Sequence, residues 1–197
     1  MNYLAHAVLS FDHEEILVGN LISDFVKGNK KFLYPESIQK GIALHRAIDR
    51  FTDSHEATSI AKNVFKDEYR LYSGAFVDIV YDHFLANDPG EFSEETLRNF
   101  SENVYRVLDR QVEYLPLRFA GMLPYMKSQN WLFNYRSRWG TESSFRGLAR
   151  RAQYIDESET AAMLFANNYD ILQSCYRVFF PQVRTFAVEM YREIIQL

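Results

Sequence analysis

Apolar residues recur along this chain at three- and four-residue intervals, and no stretch sustains the two-residue alternation of a strand. The pattern predicts one helix after another, over about 2–10, 14–26, 36–52, 54–66, 69–86, 93–113, 116–127, 142–152, 156–175 and 179–196. Local signals sharpen several ends. Pro35 and Pro116 suit first-turn positions; Ser54, Ser93 and Asp156 suit N-caps, the last with Glu159 three residues on. Asn87-Asp88-Pro89-Gly90 is the firmest break, and Pro181 is expected in the opening turn of the last helix. No repeat, low-complexity tract or linker divides the chain. The expected fold is all-α, a single-domain multi-helix bundle over residues 1–197.

One helix departs from the amphipathic norm. Residues 75–85 read Ala-Phe-Val-Asp-Ile-Val-Tyr-Asp-His-Phe-Leu, apolar at eight of eleven positions and on every side, which is the pattern of a buried helix. Yet it carries Asp78 and Asp82 four residues apart, two like charges on one face. No Lys or Arg occurs between Leu71 and Leu97 to compensate them locally. Unpartnered carboxylates in an apolar interior cost roughly several kcal/mol each. Something distant must neutralise the pair: an arginine from another helix, with Arg46 and Arg50 the candidates, or a divalent cation.

Histidines favour the cation. All five lie in the first 83 residues, and most keep company with Asp or Asn at the same interval. His45 and Asp49 are four apart, with Asp53 four later; Asn2 and His6, then Asn20 and Asp24, repeat the spacing, and His83 adjoins Asp82. Residues four apart project from one side of a helix, so several helices can each offer one pair to a common centre. On the helical wheel His45 and Asp49 border the apolar face of Leu44, Ile48 and Phe51, with Arg46 on their other side. Asp53 competes as a cap for the following helix. This is the pattern of a metal site inside a helical protein, and a hydrolase is the first hypothesis.

Imidazole and carboxylate without cysteine suit Mn²⁺, Fe²⁺ or Mg²⁺ better than a structural zinc. No Glu-x-x-His pair is present, which disfavours a ferritin-like di-iron oxidase; the His-Glu-x-x-His helix of common metalloproteases is absent too. There is neither a glycine-rich phosphate loop nor a Gly-x-Ser-x-Gly turn. Cys175, among Ile171, Leu172 and Val178, reads as a core residue, and His13 and His55 as solvated groups in cap regions.

Composition places these features. At 197 residues with 47% apolar and 16% aromatic content, the chain can close a large core without disulfides. Its single cysteine forms no internal disulfide and suits a reducing cytoplasm. There is no secretory leader pattern and no apolar run near ~20 residues, so a membrane is not an expected partner, nor is a nucleic acid. The formal charge of −4 conceals an asymmetry: residues 98–151 carry ten Lys and Arg against four Asp and Glu, between two acidic flanks. This middle segment reads either as a patch for an anionic partner or as solvated helix faces paired with acidic neighbours.

Four ordered motifs resemble the bacterial acyl carrier protein phosphodiesterases. They are Met1-Asn2-Tyr3-Leu4-Ala5-His6, the run Gly19 to Gly28 (Gly-Asn-Leu-Ile-Ser-Asp-Phe-Val-Lys-Gly), the run Gly41 to Asp53 around His45, and Asp78-Ile-Val-Tyr-Asp-His-Phe-Leu85. A weaker match continues through Gln129-Asn130-Trp131-Leu132 and Tyr135-Arg136. The family is similar to metal-dependent HD-type phosphohydrolases and removes the phosphopantetheine arm of holo-acyl carrier protein. The resemblance implies an HD-phosphohydrolase-like bundle, a divalent metal with Mn²⁺ foremost, and holo-acyl carrier protein as the protein substrate. Carried over by motif, His6, Asp24, His45, Asp49, Asp78, Asp82 and His83 are candidate metal positions. Asp24 or Asp82 is the candidate to orient or deprotonate water, and Arg46 to stabilise transition-state charge. An ordinary HD site has His directly before Asp, whereas here Arg46 follows His45 and the adjacent pair is Asp82-His83. An acidic carrier gives the basic middle segment a partner. A phosphohydrolase of nucleotides or other small phosphoesters, and a non-catalytic helical binding module with arginine-closed aspartates, are the alternatives.

Overall fold

A computed structural model describes residues 1–196, and no strand occurs among them. In chain order the helices are α1 (Tyr3–Val8), α2 (Glu14–Ile22), α3 (Glu36–Ser54), α4 (Glu56–Tyr69), α5 (Ser73–Ala86), α6 (Glu94–Arg110), α7 (Leu117–Ser128), α8 (Trp131–Asn134), α9 (Arg138–Ala149), α10 (Glu159–Asn167) and α11 (Tyr169–Gln196). The protein is all-α, as the spacing of apolar positions predicts.

The core forms around α2 and α5, whose apolar residues face inward on all sides. Every residue of α2 from Ile16 to Ile22 is buried, and α5 is buried from Ile79 to Ala86. α3 lies along α2 in the most extensive helix–helix contact of the fold, with α11 on its other side and α4 packed on α5. Two glycines make the α2–α3 contact possible. A Cβ on Gly19 would stand 2.1 Å from the Ile38 carbonyl oxygen, and one on Gly41 would stand 2.3 Å from that of Ile16. The backbones therefore approach more closely than any side chain permits, which brings Asn20 of α2 and His45 of α3 into one layer.

Caps set several ends. Ser93 and Thr96 form a reciprocal capping box on α6, as expected for Ser93. The histidines expected merely as solvated are caps themselves: His13 Nδ1 accepts from the Ile16 amide at 3.5 Å and His55 Nδ1 from the Ala57 amide at 3.1 Å, so His55 takes the position expected of Ser54. α10 starts at Glu159 rather than near Asp156. α2 stops at Ile22 and yields to a 3-10 turn, Ser23–Phe25, so Asn20 and Asp24 do not share a helix face.

The largest departure is at the C-terminal end, where α11 runs unbroken through Pro181 instead of starting there. Phe179, Phe180 and Val183 are buried on either side of Pro181 while Pro181 itself is exposed. A continuous apolar stripe against α3 and α4 thus outweighs the ~3 kcal/mol an interior proline costs a helix. Cys175 is buried in that stripe, as expected of a core residue.

Candidate metal centre

His6 is carried by α1, Asn20 by α2, Asp24 by the turn Ser23–Phe25, and His45 and Asp49 by α3. The two histidines are 3% and 5% exposed, and their rings stack with centroids 4.0 Å apart. Each meets Asp49: His6 Nε2 lies 3.2 Å from Oδ1 and His45 Nε2 lies 3.0 Å from Oδ2. His45 Nε2 also lies 3.2 Å from Asp24 Oδ1.

Asn20 decides which nitrogen of His6 carries the proton. Its Nδ2 donates to the His6 carbonyl at 2.9 Å and to Ser10 Oγ at 3.1 Å, which leaves Oδ1 as the acceptor 2.8 Å from His6 Nδ1. Nδ1 therefore holds the hydrogen, and the lone pair sits on Nε2. Burial and the neighbouring His45 charge pull His6 down to about 4, so the ring is neutral at pH 7. Its Nε2 is buried with no hydrogen-bond partner, although a carboxylate oxygen stands beside it. Two electron-rich atoms facing each other, the histidine one buried and the carboxylate one at the cleft, suit a cation between them. The set His6, His45 and Asp49 fits one, because one donor atom from each lies within 4.8 Å of the others. It is the one such group among the described residues.

The electrostatics agree. Burial opposes charge on His45, but hydrogen bonds to Asp24 and Asp49 outweigh it and hold the ring up at about 9. Burial also works against charge on Asp49, yet the hydrogen bond from His45 drives its carboxyl well below the usual range. Asp24 is held low by its hydrogen bond to His45 and is the exposed member, with 77% of its side chain open to solvent. His45, Asp49 and Asp24 open onto a surface cleft whose other walls include Lys27, Arg46 and Arg50. Arg46 is anchored there, its Nη2 donating to the Val26 carbonyl at 2.9 Å.

Of the seven expected positions four lie outside the group of His6, His45 and Asp49: Asp24 meets it at His45, and Asp78, Asp82 and His83 are placed differently. Asp78 accepts from the Met1 α-ammonium at 2.9 Å and joins the cluster only through it, since that nitrogen is 3.9 Å from Asp49 Oδ1. Asp82 is fully buried and spends both oxygens on backbone, accepting from Leu4 N at 2.8 Å and Ala5 N at 3.1 Å. Its carboxylate caps the open amides of α1; burial pushes it up to about 7 against those hydrogen bonds. His83, one residue on, turns about 100° around α5 and leaves the cluster. Its Nδ1 lies 2.8 Å from the Tyr135 carbonyl oxygen and its Nε2 lies 3.0 Å from the Tyr169 hydroxyl. Asp53 is exposed and paired with Lys62 at 2.7 Å.

Neither Arg46 nor Arg50 closes the two aspartates of α5; backbone amides hold the buried Asp82 and an α-ammonium the partly exposed Asp78. The clamp role of Asn20 was readable as the one polar residue in the apolar run Ile16 to Ile22. The α-ammonium of Met1 left no side-chain signal. Half of the ten basic residues of the middle segment meet a carboxylate or a ring within the chain: Arg98 and Arg136 pair with Glu94, Lys127 with Asp109 and Arg110 with Glu14, and Arg138 stacks on Tyr169. Arg146, Arg150 and Arg151 stay exposed.

The family model described as acyl carrier protein phosphodiesterase matches residues 1–183. A protein of that name from Enterobacter sp. (strain 638) is 32% identical over 188 residues, covering 95% of this chain and 97% of the relative. Another, from Yersinia pestis, is 30% identical over 182 residues, covering 92% of this chain and 94% of the relative. No solved structure matches the fold at a significant level.

Proposed function

Because the chain belongs to the acyl carrier protein phosphodiesterase family, we propose that it is a metal-dependent hydrolase that frees phosphopantetheine from holo-acyl carrier protein. Water adds to phosphorus, the bond from phosphorus to the carrier's serine oxygen breaks, and that oxygen takes a proton, leaving the apo-carrier. The observation that carries this reading is the buried His6 Nε2 lone pair facing Asp49 Oδ1 at 3.2 Å, an arrangement made for a cation.

His6, His45 and Asp49 are the holding residues, and their mixed nitrogen and oxygen donors favour Mn²⁺, with Fe²⁺ and Mg²⁺ next. A divalent cation bound there supplies positive charge opposite the phosphoryl oxygens and lowers the pKa of water. Asp24, held ionised and open to the cleft, is our candidate to orient water or accept its proton; Asp82 gives both oxygens to backbone amides. Arg46, on the same cleft wall and tied to Val26, brings a guanidinium with little left to order and offsets charge on the phosphoryl group. Asn20 holds His6 in the tautomer that presents Nε2.

The test is conversion of a bacterial holo-acyl carrier protein to its apo form with Mn²⁺ present, followed by intact-protein mass spectrometry. Conversion should stop with a chelator and in Asp49→Ala, and return when Mn²⁺ is restored to the wild type. Absence of conversion, with turnover of a nucleotide instead, would move the reading to a small-phosphoester hydrolase.

A further inference from the structure

The substrate's chemistry sets a geometric demand. The bond to be cut joins phosphorus to a serine at the carrier's own surface, so the carrier must touch the rim of the cleft and not merely extend an arm into it. One rim segment has the properties of a contact surface and no evident role in the fold. The 3-10 turn Gly28–Leu33 contains no buried residue at all. It follows the cleft directly in sequence, because Lys27 and Gly28 line the same cleft as Asp49 and Gly28 takes a left-handed conformation at φ +58°. Phe32 and Leu33 on it are 62% and 83% exposed, beside one another.

Its charge is as one-sided as its exposure. Between Phe25 and Pro35 there are three lysines and no Asp or Glu. Elsewhere Lys40, Lys62 and Lys127 each reach a carboxylate and only Lys66 does not, whereas Lys27, Lys30 and Lys31, close together, all reach none among the described residues. The Lys31 ammonium lies over the neighbouring Phe32 ring at 4.9 Å instead. Unpaired cations around large exposed apolar groups, at the mouth of a cleft, mark an interface for an acidic protein.

Resting on the hydrolase reading above, we propose that Lys27, Lys30 and Lys31 with Phe32 and Leu33 form the docking surface for the acidic carrier, which seats its phosphorylated serine over the cleft. The lysines attract the carrier's acidic face, and Phe32 and Leu33 fill apolar positions between its carboxylates. This assigns docking to residues 27–33 and not to the arginines of the middle segment, several of which are committed to Glu94, Glu14 and Tyr169.

The experiment uses the full chain with Mn²⁺, a bacterial holo-acyl carrier protein and a small chromogenic phosphodiester. Lys30→Glu with Lys31→Glu, and separately Phe32→Ser with Leu33→Ser, should each lower kcat/KM for the carrier about tenfold. Turnover of the small diester should stay within about twofold, since these residues lie outside the cleft wall; Lys27 is left intact because it belongs to that wall. Arg146→Glu with Arg150→Glu on α9 is the comparison and should leave the carrier rate unchanged. Carrier kinetics insensitive to the lysine reversal, equal losses on both substrates, or a larger loss from the α9 pair would each overturn the proposal. Calorimetric binding of the holo-carrier to Asp49→Ala separates this surface from the chemistry. Lysine-dependent binding without cleavage by the wild type would sustain the surface and sink the hydrolase reading. Cleavage indifferent to the lysines would do the reverse, and neither binding nor cleavage would remove both.

Discussion

His6 Nε2 and Asp49 Oδ1 face each other at 3.2 Å with no hydrogen bond between them, in a pocket where Asn20 keeps the proton on the other side of the ring. Contacts of this kind are repulsive in the metal-free protein and favourable once a cation takes the place between them. If the proposed cation binds there, its binding offsets that repulsion, and metal and stability are coupled.

Mn²⁺ should therefore raise the melting temperature. At a hundredfold excess over Kd the gain is about 2.7 kcal/mol, or roughly 5–10 °C for a domain of this size. His6→Ala, His45→Ala and Asp49→Ala should lose that increment whatever their own starting stability. Scanning calorimetry with and without Mn²⁺ measures it, and an undiminished increment in Asp49→Ala would exclude this carboxylate as a ligand.

The metal-free protein should be most stable near pH 6.5. His45 is held up at about 9, above its ordinary 6.5, so its pairing with Asp24 and Asp49 stabilises fully below pH 6.5 and is lost as pH rises through 9. His6 is held down at about 4, so its stabilising contribution is full above pH 6.5 and declines as pH falls towards 4. Bound Mn²⁺, which needs His45 deprotonated, should flatten the alkaline limb. Melting temperatures across pH 5–10, in chelator and in Mn²⁺, give both curves; a flat alkaline limb in chelator would mean the His45 pairs are not formed.

Asp82→Ala should cost stability and not metal affinity. It strands the buried amides of Leu4 and Ala5, each worth about 1–3 kcal/mol when left unsatisfied, whereas Asp82→Asn keeps one acceptor and should lose less. His83→Phe should likewise leave Mn²⁺ binding unchanged, since its ring contacts Tyr135 and Tyr169. Urea denaturation beside a Mn²⁺ titration separates the two effects. A large drop in affinity in either variant would return that residue to the metal.

These two residues show where reading the chain succeeds and where it stops. Asp82 was recognisable as a buried charge in need of a distant partner, whereas Asp78, expected buried as well, keeps a third of its side chain exposed; the His45–Asp49 interval pointed to one centre on α3. The partners of Asp82 are main-chain amides, which every residue but proline carries, so no pattern of side chains announces them. His83 is adjacent to Asp82 in sequence, but one residue along a helix is a rotation of about 100°, enough to face a different neighbour. At Pro181 local propensity predicts a helix start, and the buried stripe of Phe179, Phe180 and Val183 overrides it.

Gly19→Ala should be among the most damaging single-methyl changes in the chain. Its Cβ would meet the Ile38 carbonyl at 2.1 Å and the Gly41 Cα at 2.9 Å, both backbone, so α2 and α3 must separate. Overpacking of this kind costs about 1–3 kcal/mol or more. Gly121→Ala, where the added Cβ meets nothing within 4 Å, is the control. Because Asn20 and His45 ride on the two separated helices, Mn²⁺ affinity should fall with stability in the first variant and with neither in the second.

Asn20→Ala tests whether the tautomer of His6 matters independently of the ligands. Asn20 is fully buried and lies behind His6, its Oδ1 accepting from the proton-bearing Nδ1. Without it, Nδ1–H has no acceptor in a buried site, and the ring is free to place its hydrogen on Nε2, where it can donate to Asp49 Oδ1 and close the space a cation needs. Mn²⁺ affinity should fall about 10–100-fold, the usual cost of losing a partner behind a metal-bound histidine. Asn20→Asp supplies an acceptor again and should recover part of the affinity, though it loses the donation to the His6 carbonyl and Ser10. Nitrogen-15 NMR of the histidine rings reports the tautomer directly. His6 should show a hydrogen on Nδ1 in the wild type and on Nε2 in Asn20→Ala, and an unchanged tautomer with unchanged affinity would leave Asn20 as a packing residue only.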